Sequence, residues 1–233
     1  MKPIAIFQHV ISDGPAYFAH WLIQAGLPYE VFHLYAGDAV PADISAYSGL
    51  GIMGGPMSVN DGLPYQAGQL DAIRRAVELD IPVIGHCLGG QLMSKALGGT
   101  VDASPNVEIG WSDLRLEAEV GARWFLGRRQ LRQFQWHGES FSIPPGARRI
   151  VVGELCPNQA FVVGEKHLAM QFHCEVNEEK VRAWLHNDRQ ELISQSPGVQ
   201  QADAILPTLA ADVANSQRIA ADIYAEWVKG LRY

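Results

Sequence analysis

Cys87 stands in Gly85-His86-Cys87-Leu88-Gly89, after the apolar run Ile81-Pro82-Val83-Ile84 and before a stretch with helical spacing. A nucleophile on a sharp strand-to-helix turn needs small residues two places before and two after it, because side chains there would clash. Gly85 and Gly89 meet that need. Such a turn projects the sulfur from the carboxyl edge of a sheet at the N-terminus of a helix. There the partial positive charge and free N–H groups favour thiolate over thiol. The N–H of Leu88 is the one placed to hold an oxyanion. Alone, the same residues also describe a buried cysteine in a glycine-rich turn.

A thiol needs a base, and Gln171-Phe172-His173-Cys174-Glu175 supplies a candidate. On a strand, residues i and i+2 share a face, so His173 and Glu175 are expected to point the same way, Glu175 orienting the imidazole and stabilising its cation. Cys174 is expected on the opposite face as a packing residue, with a redox role left open by its nearness. A second turn, Gly54-Gly55-Pro56, follows another apolar run and falls at the same sheet edge if the sheet is parallel. The Gly55 N–H is then a second oxyanion donor.

Those positions require a particular scaffold, and the patterning supplies it. Ile4 to Val10, Val31 to Tyr35, Leu50 to Met53 and Ile81 to Ile84 read as strands, the first a continuous apolar run buried on both faces. Helical spacing lies between them. Asp13-Gly14-Pro15 starts a helix with Phe18, Leu22 and Ala25 on one face and Gly26 as its stop. Pro64 to Asp80 sets Leu70, Ile73 and Val77 on one face against Arg74, Arg75 and Glu78. Leu92 to Leu97 follows Cys87. This alternation implies a doubly wound, mostly parallel α/β sheet. Beyond Thr100, the segments Val107 to Leu116, Gln130 to Trp136, Arg149 to Val152, Ala160 to Val163 and His167 to Phe172 read as antiparallel edge strands. From Asn177 to Tyr233 the pattern is helical, with stripes Val181, Trp184, Leu185 and Ile219, Ile223, Trp227, and a loop over Gln195 to Gln201. One domain is expected over 1–233, with a core of about 1–180 and a helical extension of about 181–233.

Composition bounds the function. The chain has 233 residues, 48% hydrophobic, and a formal net charge of −7, which argues against a polyanion partner. Arg128-Arg129-Gln130-Leu131-Arg132 is a local basic run, read mainly as a solvated face. Three scattered cysteines make a poor disulfide framework and point to a reducing, cytoplasmic setting. No run approaches the roughly 18 apolar residues that span a bilayer, so no membrane partner is expected. His9 and His20 lack ligand spacing, so no metal is expected.

Together these motifs resemble class I, triad-type glutamine amidotransferases, a flavodoxin-like fold family. Residues 82–91 are similar to the family's Gly-x-Cys-x-Gly-x-Gln nucleophile motif, and 171–175 to its Gln-Phe-His-Pro-Glu motif. Gly54-Gly55-Pro56 resembles its oxyanion strand. Gln135-Trp136-His137-Gly138-Glu139, with Ile143-Pro144-Pro145-Gly146 after it, is similar to a block of the stand-alone branch related to the amidotransferase domain of GMP synthase. The likeness covers roughly residues 1–180. It implies Cys87, His173 and Glu175 as catalytic groups, and Gly55 and Leu88 as oxyanion donors. Gln91, Gly54, Trp111 and His137 become substrate contacts, Trp111 through the strand Val107–Trp111 and His137 through a loop over the pocket. The implied reaction is hydrolysis of the γ-glutamyl amide of glutamine through a Cys thioester, without an organic cofactor and with a synthetase as the partner that takes up ammonia. The sequence departs from the pattern in having Cys174 where the family has Pro and in carrying no fused synthetase domain. That leaves two alternatives: a γ-glutamyl peptidase, or a catalytically silent or redox-responsive binding protein of the same fold.

Overall fold

A computed structural model describes residues 2–117 and 123–232. Ten strands form one mixed sheet: β1 Ile4–Gln8, β2 Tyr29–His33, β3 Gly49–Ile52, β4 Val83–His86, β5 Val101–Leu116, β6 Gln130–Phe141, β7 Ala147–Val152, β8 Ala160–Val163, β9 His167–Met170 and β10 Gly198–Val199. The helices are α1 Ala16–Gln24, α2 Gln66–Glu78, α3 Leu88–Ala96, α4 Glu178–Asn187, α5 Ala202–Ile205 and α6 Leu209–Trp227. The order β2-β1-β3-β4-β9 is parallel throughout, the flavodoxin-like arrangement with β9 in fifth place. Beyond β9 the sheet turns antiparallel through β8, β7 and the long β5–β6 pair. In such a sheet, ligands bind outside the carboxyl ends of the parallel strands.

Both faces of the parallel strands are covered. Ile4 and Ile6 point to one side, where α1 and α6 bring Phe18, Leu22, Ile223 and Trp227. Ala5 and Phe7 point to the other, against α2 and α3 through Ala72, Ile73, Ala76, Leu88 and Leu92. A third cluster joins β5 and β6 to α4 and the start of α6 through Trp111, Phe134, Val181, Trp184 and Leu209.

Several expectations shift. The buried face of α2 is Gln66, Gln69, Ala72, Ile73 and Ala76, with Leu70 and Val77 only half-buried, and the Gln69 amide reaches inward to the His9 ring at 2.7 Å. The expected loop over Gln195 to Gln201 contains β10, which pairs parallel to β5 at Glu108 and Ile109. Arg128 and Arg132 of the basic run face α6, where they pair with Asp222 and Asp212. Tyr233, the expected end of the helical stretch, lies outside the described residues. Among the described residues, no helix is long and apolar enough to cross a membrane.

Trp227 is fully buried against Phe18, with ring centroids 5.8 Å apart, and its ring occupies the space over Gly49. Trp227→Ala should lower unfolding free energy in a denaturant titration by about 3–5 kcal/mol. A loss near zero would mean that α6 is not part of the cooperative core.

Candidate functional site

The turn that ends β4 and starts α3 puts Cys87 at φ 49°, ψ −109°, a left-handed conformation that strains any residue with a side chain. Close packing imposes it. A Cβ on Gly85 would lie 2.5 Å from the Gly89 carbonyl carbon, one on Gly90 2.6 Å from the Met170 oxygen, and one on Gly89 would strike the Ile52 carbonyl. The Cys87 N–H donates to Met170 O at 2.9 Å, fastening the turn to the last residue of β9.

That fastening carries the next five residues over the turn. His173 and Glu175 do not lie on a strand as expected, since β9 ends at Met170. Gln171 to Glu175 leaves the sheet, held by Gln171 N to Gln159 O (2.8 Å) and a single bridge in which His173 N donates to Phe134 O (2.8 Å). The two side chains meet nonetheless: His173 Nδ1 and Glu175 Oε1 are 2.8 Å apart. Burial works against the imidazolium, but the charges of Glu175 and Cys87 and the hydrogen bond to Glu175 outweigh it, holding His173 well above its ordinary pKa of 6.5. Burial likewise opposes ionisation of Glu175, and the cations of Lys180 and His173 overcome it, so its carboxyl sits well below 4.5. The Trp184 ring stands edge-on to the imidazole at 4.9 Å.

A cavity of 460 Å³ opens on these groups, and Gly55, Cys87, Gln91, His137 and His173 line it. Gln91 Nε2 donates to Glu139 O (3.1 Å) and to Gln171 Oε1 (3.3 Å), while Gln171 Nε2 lies 3.6 Å from the Cys87 sulfur. Gly55 sits beside Leu88, where a Cβ would come within 3.2 Å of Leu88 Cδ2. Among the described residues, neither the Gly55 nor the Leu88 N–H donates to an acceptor.

Two expected substrate contacts are not on the cavity wall. Trp111 is buried with its ring 5.1 Å from Phe134, its backbone clamped by both ends of the Gln200 amide at 2.9 Å. Alternation along β5 therefore turns its indole into the third core cluster, away from Cys87. Gly54 is part of the support beneath: its carbonyl accepts from His9 Nδ1 at 3.0 Å, and a Cβ there would collide with Asp13 and lie 3.0 Å from His173. His137 does reach the cavity, but both its nitrogens are engaged, Nδ1 with Glu139 O (3.0 Å) and Nε2 with Glu108 Oε2 (3.2 Å). Cys174 takes no part in the wall. Its sulfur is in the core 3.5 Å from the Tyr224 hydroxyl, and burial pushes its thiol up.

Sequence reasoning missed Asp13, Lys180 and the walls Trp136 and Trp184. Lys180 is almost wholly buried and pairs with both Asp13 and Glu175 (2.8 Å). Acidic, histidine and cysteine side chains converge at Asp13/His173/Glu175, His86/Cys174/Glu175 and Glu108/His137/Cys156. In the first, the Lys180 ammonium already occupies the place of a cation. In the third, Glu108 accepts from Gln159 at 2.9 Å as well as facing His137.

A doubly wound α/β sheet with a strained cysteine at a strand-to-helix turn, and a His–Glu pair bordering the same cavity, defines the class of fold and site. A family model described as glutamine amidotransferase class-I matches residues 16–189, and the chain belongs to that family. It is 30% identical over 192 residues to the glutamine amidotransferase-like protein YfeJ of Salmonella typhimurium, covering 79% of this chain and 80% of that one. It is 31% identical over 160 residues to a glutamine-hydrolysing GMP synthase of Azoarcus sp., covering 64% of this chain and 28% of the synthase. Among solved structures, a glutamine amidotransferase from Methylobacillus flagellatus matches at TM-score 0.97 and 41% identity, covering 100% of this chain and 96% of that one. One from Thermotoga maritima matches in fold, at TM-score 0.86 and 24% identity over 97% of this chain and 98% of that one.

The strain at Cys87 can be measured. Glycine ordinarily costs about 0.5–1 kcal/mol relative to alanine in regular structure. At this left-handed position the order should reverse, with Cys87→Gly more stable than Cys87→Ala by about 1–3 kcal/mol in denaturant unfolding. The usual order would show that the turn relaxes without cost.

Proposed function

We propose that the protein hydrolyses the γ-glutamyl amide of glutamine, with Cys87, His173 and Glu175 as its catalytic groups. The convergence of an elbow cysteine and a Glu-held imidazole on one 460 Å³ cavity carries this reading. His173 takes the thiol proton, Cys87 Sγ attacks the side-chain carboxamide carbon, and the carbonyl oxygen takes the negative charge between the Gly55 and Leu88 N–H groups. His173, its cation stabilised by Glu175, gives a proton to the departing nitrogen, and ammonia leaves. A thioester between Cys87 and the γ-glutamyl carbonyl remains. Water, deprotonated by His173, attacks it and releases glutamate and the thiol. Gln91 lines the cavity with Cys87 and is assigned to the substrate. Ammonia made here would serve a synthetase, by analogy with the GMP synthases that this chain matches in part.

A second reading has its own support. A cavity of this volume falls in the range of about 300–1,000 Å³ that holds drug-sized ligands, and glutamine alone underfills it. Trp136, Trp184, Asp188 and Glu191 border the additional space. A γ-glutamyl peptide or conjugate, cleaved by the same thioester route, would use that space for its leaving group. Cys174, whose nearness in sequence prompts the redox-responsive reading, is buried and does not line the cavity.

Purified protein should release ammonia from glutamine. Cys87→Ala should reduce kcat at least about 1,000-fold, as loss of a nucleophile does. Equal ammonia from the two proteins would remove Cys87 as nucleophile. Comparing kcat/KM for glutamine with that for γ-glutamyl dipeptides ranks the two substrates, and a large preference for dipeptides moves the assignment to the peptidase.

A further inference from the structure

We propose that Lys180, anchored by Asp13, is a positioning residue for the site, its buried ammonium keeping Glu175 ionised and aimed at His173 Nδ1. This rests on the catalytic assignment above and extends it by two residues outside the proposed triad.

The Lys180 ammonium has three partners: the Asp13 carboxylate, Glu175 Oε1 at 2.8 Å and the Gly14 carbonyl at 3.0 Å, and it lies 4.9 Å above the Trp184 ring. Glu175 has few partners. Oε1 faces both His173 and Lys180 at 2.8 Å, while Oε2 is buried with no hydrogen-bond partner. A fully buried carboxylate with one bare oxygen is costly to ionise, and a nearby cation offsets that cost. The imidazole alone is a poor source of it, because His173 gains and loses its proton during turnover. Lys180 stays charged throughout: burial alone would lower its pKa, but Asp13 and Glu175 hold it above 10.5. The backbone clamps the same corner, with Tyr17 N donating to Glu175 O at 2.9 Å, so the Asp13–Ala16 turn lies against the segment bearing Glu175.

Other ionisable groups face Glu175. His86 on β4 and Cys174 bring a nitrogen and a sulfur within 4.8 Å of its carboxylate oxygen, and Tyr224 on α6 bonds to both of them. Burial lowers His86 to about 4 and raises Cys174 and Tyr224, so all three are neutral near pH 7. The fixed charges around the imidazole are therefore Glu175, Lys180 and Asp13.

Removing only Lys180 leaves two carboxylates facing each other in a dry corner, which then take up a proton between them. Glu175, wholly buried, is the one that takes it, whereas Asp13 borders the cavity. The sign follows: the catalytic arrangement needs ionised Glu175, so in Lys180→Met the acid limb of the pH profile moves up. Removing both charges in Lys180→Met/Asp13→Asn relieves the repulsion and returns the limb toward the parent position. A merely structural lysine would give additive losses and no return.

The test reads the rate of Cys87 alkylation by iodoacetamide against pH, beside kcat and KM for glutamine. Lys180→Met should raise the acid limb of both profiles by about one pH unit or more and lower kcat about 10-fold near neutral pH, with KM little changed. The double variant should recover most of both. An unmoved limb in Lys180→Met, or a double variant no better than the single one, overturns the proposal. If Lys180→Met gives no cooperative melt, Asp13→Asn decides alone. It frees the lysine charge to oppose the imidazolium, so the alkaline limb of the kcat profile for glutamine must move to lower pH, and an unmoved limb rejects the idea. Alkylation needs no substrate. A parent protein inert toward glutamine would therefore sink the proposed function while the alkylation profiles still judge Lys180.

Discussion

The hydrogen bond from the Cys87 N–H to the Met170 carbonyl is the joint on which the site is built. It ties the end of β4 to the end of β9, strands separated in sequence by the whole antiparallel excursion β5–β8. Three glycines make it reachable. With Gly85, Gly89 and Gly90 lacking side chains, α3 starts in direct backbone contact with β3 and β9 rather than a side chain's width away. The cost is a strained φ at Cys87, tolerated because the surrounding backbone leaves that residue no other conformation. The same joint fixes where β9 must stop, and so where Gln171 to Glu175 crosses the sheet edge.

Electrostatics then does what packing alone could not. Glu175, His173 and Lys180 are charged and almost completely removed from water, an arrangement that is unfavourable unless every charge finds a partner at hydrogen-bond distance. The chain meets that condition by convergence from three places: the Asp13 turn before α1, the segment after β9, and the first turn of α4. Asn177 starts that helix, its side chain accepting from Lys180 N at 2.8 Å, and so sets the direction from which the Lys180 ammonium arrives. Gly54 completes the corner by leaving room for Asp13 and the His173 ring together. The Gly54-Gly55 turn therefore serves two ends, a bare N–H on the cavity side and an empty volume on the other.

The parallel core was legible because its strands are continuous apolar runs bounded by Gly and Pro, and the elbow because its glycine spacing has a steric cause. Alternation along a strand predicts the His173–Glu175 contact for the wrong local reason: the structure uses an irregular crossing that keeps the two side chains together. A motif's position in sequence does not reveal which face of β5 Trp111 occupies; the pairing of β5 in the sheet turns it, with Ile109, into the third core cluster. Lys180 and Asp13 gave no signal. A lysine in an amphipathic helix reads as solvated, and only the three-dimensional meeting with residues 5 and 167 positions away buries it. Gln69 was concealed similarly, a polar residue on the buried face of α2 that meets His9.

The C-terminal helices also have a part in this arrangement beyond covering apolar strands. Helix α4 supplies Lys180 and Trp184, one to the charged corner and the other to the cavity wall, and α6 supplies Tyr224, which caps His86 and Cys174 beneath Glu175. A division into a core of about 180 residues and an extension would therefore cut through the environment of Glu175 itself. Helix α6 is bound to the rest by Trp227 over Gly49 and by ion pairs from Arg132 and Arg128, so the ring at Tyr224 is held from both ends. The dryness that makes Glu175 costly to ionise, and Lys180 effective in offsetting that cost, depends on this last helix remaining in place.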